Sequence, residues 1–288
     1  LKTTQAWVWC APILLLLLFD KRNKVFYLSK IKIAIVKLAL NRYIKLTIPK
    51  TKMLTKEFVD PSMTLDICIP VISKIEWHKF TITTAPGDDN IVLYIQIVGQ
   101  WTASLQRLYL NSNDDLVNNI TLFIDRPKYN TMKYVQLYKR IYLICTGFGI
   151  TPFISFIRHV IYNQFKYSKL EQINIIWVIN DSHDFYMFNK TLSTLIHFPM
   201  FNLQIYFTNN IRSSKHREAI LILQDHLFKQ NGFDIIAGMH QKNKTILNKP
   251  NFKFIFQDII YNNKEEKKLG MFICGNMRLQ TEILNKCR

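Results

Sequence analysis

A change of rhythm near Tyr134 does most to limit what this chain can fold into. Downstream of it, apolar strand-like runs and helix-like runs take turns: RIYLIC, TPFISFIRHVIYNQF, QINIIWVIN, DFYMFNKTLSTLIHF, NLQIYFT, a helix around HREAILILQDHLF, and finally KLGMFICG. Apolar strands separated by helices require a parallel sheet with helices on its faces, because each parallel crossover must return along the sheet. Upstream the runs are shorter: KIAIVKLALNRYIKLTI, TLDICIP, KFTITTAP, NIVLYIQIV and ITLFID, divided by the turn-formers DPS, PGDDN and NSNDD. Period-two alternation marks half-buried strands, and short strands at close spacing imply an antiparallel barrel or sandwich. TASLQRLYLNSNDDL supplies one helix in that region. The expectation is an antiparallel β-barrel domain over 31–130 followed by a Rossmann-like parallel α/β domain over 131–288. At 288 residues the chain is long enough for two cores.

The formal charge of +18 raises nucleic acid as a partner, but the lysines are spread along the chain without an Arg-rich cluster or a binding motif. Nucleic acid is set aside; a basic surface facing anionic lipid or anionic cofactors fits better. The five cysteines are scattered with no CxxC pair, and the seven histidines have no metal-ligand spacing, so neither a disulfide framework nor a metal is expected. The run WVWCAPILLLLLF (7–19) is apolar throughout and is followed by DKRNK. It is too short to cross roughly 30 Å of hydrocarbon. Its placement fits the end of a longer transmembrane helix, with residues 1–30 forming a short apolar helix and a basic exit on the cytosolic side. A buried helix in a soluble core is the other reading.

The stretch ICTGFGITPF (144–153) puts two glycines and a Thr-Pro between a strand and a helix. Glycine allows a tight turn and close backbone approach, and proline fits the first turn of a helix. Strand, glycine turn and helix N-terminus together suit a phosphate group. The full GxGxxG fingerprint is missing, so the stretch by itself leaves the ligand open.

Several motifs share one order along the chain. EWHKFTITTAP (76–86) resembles the flavin-binding His-Pro-Phe-Thr signature of the NADPH oxidase and ferric reductase family, which continues into Ser-Ser-Ala-Pro or a relative. IVGQWTASL (97–105) resembles that family's Gly-Asp/Gln-Trp-Thr element, and LFIDRPKYN (122–130) its strand with Asp-Gly-Pro-Tyr-Gly. TGFGITPF resembles the Gly-x-Gly-x-Thr-Pro-Phe of the nicotinamide side. IIWVINDSHDFYMFNKTLSTL (175–195), TILNKPNF (245–252) and MFICGNMRL (271–279) are similar to later elements, and WVWCAPILLLLLFDKRNKV (7–25) to the end of the sixth membrane helix. The likeness runs over nearly the whole chain and is greatest to the calcium-regulated and dual oxidase branch.

The resemblance implies FAD in the barrel and NADPH on the α/β domain. NADPH would give a hydride to FAD, whose electrons would pass to haem in a membrane domain missing from this chain, and from there to oxygen as superoxide. For FAD it implies His78, Lys79, Phe80, Thr81, Gln96, Gly99, Trp101 and Thr102. For NADPH it implies Gly147, Gly149, Thr151, Pro152, Asn180, Cys274 and Gly275, with Cys274 as the catalytic-pocket thiol beside the nicotinamide rather than a nucleophile. The chain would be a fragment held at the membrane by its N-terminal segment, with both cofactor domains on the cytosolic side.

There are departures. Lys79 stands in place of the family's proline, Gln96 and Asn180 in place of arginines, Cys145 in place of a glycine, and Arg126, Lys128 and Asn130 break the Asp-Gly-Pro-Tyr-Gly turn around Asp125 and Pro127. Loss of one charge-assisted phosphate contact costs about 1–3 kcal/mol, or one to two decades of affinity. Arg212 or Lys215 could substitute for Asn180, which the sequence by itself does not show. The chain also stops before the terminal aromatic of the family, and it carries no EF-hand loop. A degenerate, non-catalytic fragment and a ferric or metalloreductase are the competing expectations.

Overall fold

The computed structural model describes residues 5–26, 29–32, 34–39, 42–50, 60–110, 121–125, 127–181, 183–208, 214–266 and 268–287, with only the backbone course given for 5–6, 20–26, 29–32, 34–39, 186, 214–217 and 286–287. Helix α1 (Gln5–Phe26) contains the apolar run and Pro12. Its apolar side chains are exposed, Trp7 by 71% and Trp9 by 78%. No helix among the described residues is long and apolar enough to cross a membrane.

Among the described residues the first domain has seven strands: β1 (Ser29–Lys32), β2 (Ala34–Ala39), β3 (Tyr43–Pro49), β4 (Thr64–Cys68), β5 (His78–Thr81), β6 (Asn90–Gln96) and β7 (Thr121–Ile124). They form two antiparallel sheets, in the orders β1-β7-β4-β5 and β2-β3-β6. An Ile82–Leu93 bridge joins β5 to β6, so the sheets continue into one another. The alternation seen in the sequence is the packing: Ile44, Leu46 and Ile48 on β3 meet Ile91, Leu93 and Ile95 on β6 inside, while Lys45 and Thr47 face out. Helix α2 (Gln100–Leu110) closes one end of this core through Trp101 and Leu105.

The second domain has strands β8 (Arg140–Thr146), β9 (Gln172–Ile179), β10 (Phe201–Phe207) and β13 (Gly270–Cys274) in the order β10-β9-β8-β13, with every pair parallel. Its helices are α3 (Thr151–Tyr162), α4 (His183–Ser193), α5 (Ser214–Asn231), α6 (Phe252–Asn262) and α7 (Met277–Cys287), and the short strands β11 (Phe233–Asp234) and β12 (Met239–His240) make a hairpin. Two cores flank the sheet: Leu143, Ile175, Trp177 and Ile205 pack with α3 and α4 on one face, and Tyr142, Ile144 and Ile176 with α6 and α7 on the other. Strand order reverses beside β8, and that reversal opens a crevice at the carboxyl ends of β8 and β13.

Two helices stop earlier than their apolar patterns. Helix α3 ends at Tyr162, where Asn163 turns the chain and its carboxamide accepts from Lys166 N at 3.2 Å. Helix α4 ends at Ser193, and Thr194 Oγ1 bonds back to Thr191 O at 2.7 Å in a tighter turn. Such local side-chain bonds compete with the helical ladder. Strand β1, the β11–β12 hairpin and helices α6 and α7 are additions to the elements read from the sequence.

The domains meet along α3. Ser62, buried and with φ of 63°, donates its N–H to Ser155 Oγ at 2.9 Å and its hydroxyl to Pro152 O. Arg158 donates to Thr83 O at 3.0 Å and to Asp88 Oδ1 at 2.8 Å, and Lys166 pairs with Asp60 at 3.1 Å. A buried non-glycine residue in left-handed backbone persists only when its surroundings fix it. Ser155→Ala leaves the buried Ser62 N–H without a partner, so stability should fall by about 1–3 kcal/mol. Urea unfolding checks this, and an unchanged midpoint would mean that the junction is held elsewhere.

Candidate functional site at the sheet switch point

The crevice is closed by glycines. Gly147 follows β8 with φ of +46°, a conformation glycine enters without steric cost, and buried Trp177 donates its indole N–H to Gly147 O at 2.8 Å. A β-carbon on Gly149 would sit 2.5 Å from Cys274 O, and one on Gly275 2.5 Å from Thr146 Oγ1. The turns after β8 and β13 therefore touch through backbone. Helices α3 and α7 both start here, and Asn276 caps α7 by accepting from Leu279 N at 2.9 Å. Two helix N-termini converging on one crevice favour an anion.

A cleft of about 700 Å³ opens in front of these turns, lined from the barrel side by Arg42, Tyr43 and Gln96. Gly147 and Asn180 line its other wall, with Lys249 and Arg278 as cations and Asp181, Asp184 and Glu282 as anions. Arg42 pairs with Asp181, and the Tyr43 hydroxyl donates to Asp184, so both contacts cross between the domains. Tyr43 also stacks on Phe148 with centroids 5.1 Å apart. Asp184 is buried, and desolvation raises its carboxyl above the ordinary range although the Tyr43 bond and Arg42 pull the other way. Burial likewise raises the Tyr43 phenol, reinforced by its bond to Asp184.

A second cluster lies in the barrel. The His78 and Trp101 rings are 4.2 Å apart, and Phe80 lies 6.1 Å from Trp101. Trp101 Nε1 and His78 Nε2 are buried without hydrogen bonds, the nearest carboxylate to the histidine being Glu76 at 3.6 Å. Trp101 and Phe80 pack on the barrel core, and the two ring nitrogens without hydrogen bonds are groups that the polar edge of a flat heterocycle such as a flavin would satisfy. Gly99 is open on its Cβ side, at the N-terminus of α2.

The implied residues divide. His78, Phe80 and Trp101 form the ring cluster, with Thr81 on the same strand; Gln96, Gly147 and Asn180 line the cleft. Thr102 instead accepts from the N–H groups of Val98 and Gly99 at 3.1 and 3.0 Å, fixing the turn into α2. Thr151 and Pro152 are buried behind the crevice, Thr151 bonding to Phe148 O. Lys79 is exposed on β5 opposite Asp66. Cys274 is the register neighbour of Cys145 at the ends of β13 and β8, and burial raises both thiols, Cys145 strongly. Lys128 bonds Asp66 and lies 3.3 Å from Asp125, bracing the altered turn. Arg126 and Arg212 lie outside the described residues, as does the Lys215 side chain. Among the described residues no group of His, Cys, Asp and Glu could hold a metal ion.

The sequence did not single out Arg42 or Tyr43, and Asp184 and Arg278 stood out only as members of the 175–195 and MFICGNMRL stretches. Lys249 was within reach, since it lies in the TILNKPNF motif.

An antiparallel barrel docked on a parallel sheet, with a glycine-closed crevice at their junction, is the architecture of a two-domain flavin and pyridine-nucleotide reductase. Solved structures share it: a ferredoxin NADP+ reductase from Neisseria gonorrhoeae with bound FAD and NADP matches with a TM-score of 0.60 at 15% identity, over 91% of this chain and 90% of that one. The CS-b5R domains of human Ncb5or match with a TM-score of 0.61 at 11% identity, over 91% of this chain and 67% of that one. The chain belongs to the ferric reductase NAD binding domain family, matched over residues 138–288, and carries an FAD-binding domain over 25–132. Its relatives include a superoxide-generating NADPH oxidase heavy chain of Dictyostelium discoideum, 27% identical over 99% of this chain and 42% of that protein. NADPH oxidase 3 of Rattus norvegicus is 28% identical over 79% of this chain and 41% of that protein. The chain thus spans less than half the length of these relatives.

Two outcomes check this geometry. Gly149→Ala forces a β-carbon into the Cys274 carbonyl, so it should cost roughly 1–3 kcal/mol, whereas Gly99→Ala meets nothing within 4 Å and should cost far less; thermal melts of the two variants compare them. A raised folded pKa at Asp184 favours the fold below the ordinary carboxyl range, and that contribution is lost as pH rises through the folded value. Asp184→Asn should therefore gain on the wild type in stability as pH rises above the ordinary carboxyl range, and equal pH profiles would exclude the carboxyl as the source.

Proposed function

We propose that this chain is the electron-input module of an NADPH oxidase, taking a hydride from NADPH onto FAD and passing electrons on toward haem and oxygen in a longer protein. When bound, FAD supplies the step from two-electron to one-electron transfer. The observations that carry the reading are the ring cluster in the barrel, whose His78 and Trp101 ring nitrogens lack hydrogen bonds, and the glycine-closed crevice at the sheet switch point.

His78, Phe80, Thr81 and Trp101 would hold the flavin ring, with Gln96, Gly99 and Lys79 toward its chain. Thr102 would act at one remove, by setting the turn that presents Gly99. Gly147, Gly149 and Gly275 would let backbone approach the NADPH diphosphate, with Thr151 and Pro152 shaping the start of α3. Asn180, Lys249 and Arg278 would face the rest of the nucleotide. Cys274 would shape the nicotinamide pocket as a neutral thiol, in keeping with the burial that raises its pKa. The working domain limits are 31–130 for the barrel and 131–288 for the nucleotide domain. The exposed apolar side chains of α1 support a membrane attachment through residues 1–30, with the two cofactor domains on the cytosolic side.

A second reading, a fold that no longer turns over, is favoured by Asp181 and Asp184 in the cleft, which repel an anionic ligand. The purified chain should take up FAD saturably, and anaerobic NADPH should then bleach the flavin spectrum. A folded chain that takes up no FAD would exclude the enzyme, and uptake without bleaching would place the defect in the nucleotide domain.

A further inference from the structure

We propose that Arg42 is a diphosphate-binding residue for which a bound dinucleotide competes with Asp181. The inference rests on the reading of the cleft as a dinucleotide site and names a residue that the motifs do not contain. Arg42 immediately precedes β3, and its carbonyl accepts from Ile97 N at 2.9 Å, while Tyr43 is the register partner of Gln96. Arg42 therefore lies opposite Ile97, one residue beyond the Tyr43–Gln96 pair, and both Arg42 and Gln96 line the cleft. The cation that position 96 lacks is present one strand away.

The guanidinium is chemically suited to the exchange. Its planar fork donates to two oxygens of a phosphate as readily as to two of a carboxylate, and Asp181 engages it through Nη1 alone. The Arg42 side chain is 60% exposed, open to a ligand, whereas Asp181 is only 20% exposed. Asp181 has other partners: it accepts from His183 N at 3.0 Å and contacts His183 Nδ1 at 2.5 Å. Release of Arg42 therefore does not strand a bare buried carboxylate, and the exchange substitutes one anion for another. The other cleft cations, Lys249 and Arg278, belong to the nucleotide domain, so Arg42 is the cation that the barrel contributes among the described lining residues. FAD and NADPH both carry the diphosphate, and the experiment separates them.

The full chain and its Arg42→Ala, Asp181→Asn and Arg42→Gln/Gln96→Arg variants are titrated with FAD by fluorescence and with NADP+ by calorimetry, at low and high salt. Arg42→Ala should weaken one dinucleotide by about ten- to a hundredfold at low salt and flatten its salt dependence. Asp181→Asn should tighten the same dinucleotide, and if that is FAD, the charge swap should restore affinity. Loss on the FAD arm assigns Arg42 to the flavin diphosphate; loss on the NADP+ arm assigns it to the pyridine nucleotide. Wild-type affinity for both in Arg42→Ala overturns the proposal. So does equal weakening by Arg42→Ala and Asp181→Asn, which is the mark of a purely structural ion pair. A wild-type chain that binds neither dinucleotide overturns the cofactor reading instead, and inorganic pyrophosphate titrated against wild type and Arg42→Ala then tests the arginine alone, equal affinities counting against it.

Discussion

The backbone of Gly149 lies so close to the carbonyl of Cys274 that a β-carbon would come within 2.5 Å, and much of the molecule's organisation follows from that approach. It brings the turn after β8 against the end of β13 where the strand order reverses. Gly275 makes the reciprocal approach to Thr146, and the Trp177 indole fixes the Gly147 carbonyl from the neighbouring strand. Helices α3 and α7 then begin at one crevice, and α3 carries Ser155 and Arg158 onto the barrel. The contact that shapes the crevice therefore also aims the helix that docks the two domains.

Electrostatics in the cleft are finely divided. The chain as a whole has a formal charge of +18, which attracts anions over long range. At short range the cleft sets Arg42, Lys249 and Arg278 against Asp181, Asp184 and Glu282. Asp181 and Asp184 are held by Arg42 and Tyr43, so the carboxylates that would repel a diphosphate are the ones already engaged by barrel groups. The domain contact and the cleft share the same side chains.

Much of the fold was legible because its signals are local. Alternation in YIKLTIP and NIVLYIQ became the inner and outer faces of β3 and β6, and the strand–helix rhythm after Tyr134 became the parallel sheet. Helix α6 was harder to read because FKFIFQDIIYN is apolar on both faces, with Phe254, Ile260 and Tyr261 exposed opposite buried Phe252, Phe256 and Ile259. Its start is set by Asn251, whose side chain accepts from Lys253 N and Phe254 N. Several motif residues stand in the cleft, but the motifs do not separate the parts their side chains play. Thr102 and Thr151 are motif residues whose hydroxyls serve the backbone, whereas Arg42 lies outside every motif and stands in the cleft.

The sequence by itself determined the two kinds of domain, their order and the glycine turn between β8 and α3. Periodicity, glycine and proline act within a few residues of where they stand. The tertiary structure alone decided which charges meet. Arg42 and Asp181 are 139 residues apart, and only the register of β3 on β6 together with the docking of α3 on the barrel brings a guanidinium, a carboxylate and the glycine turn to one cleft.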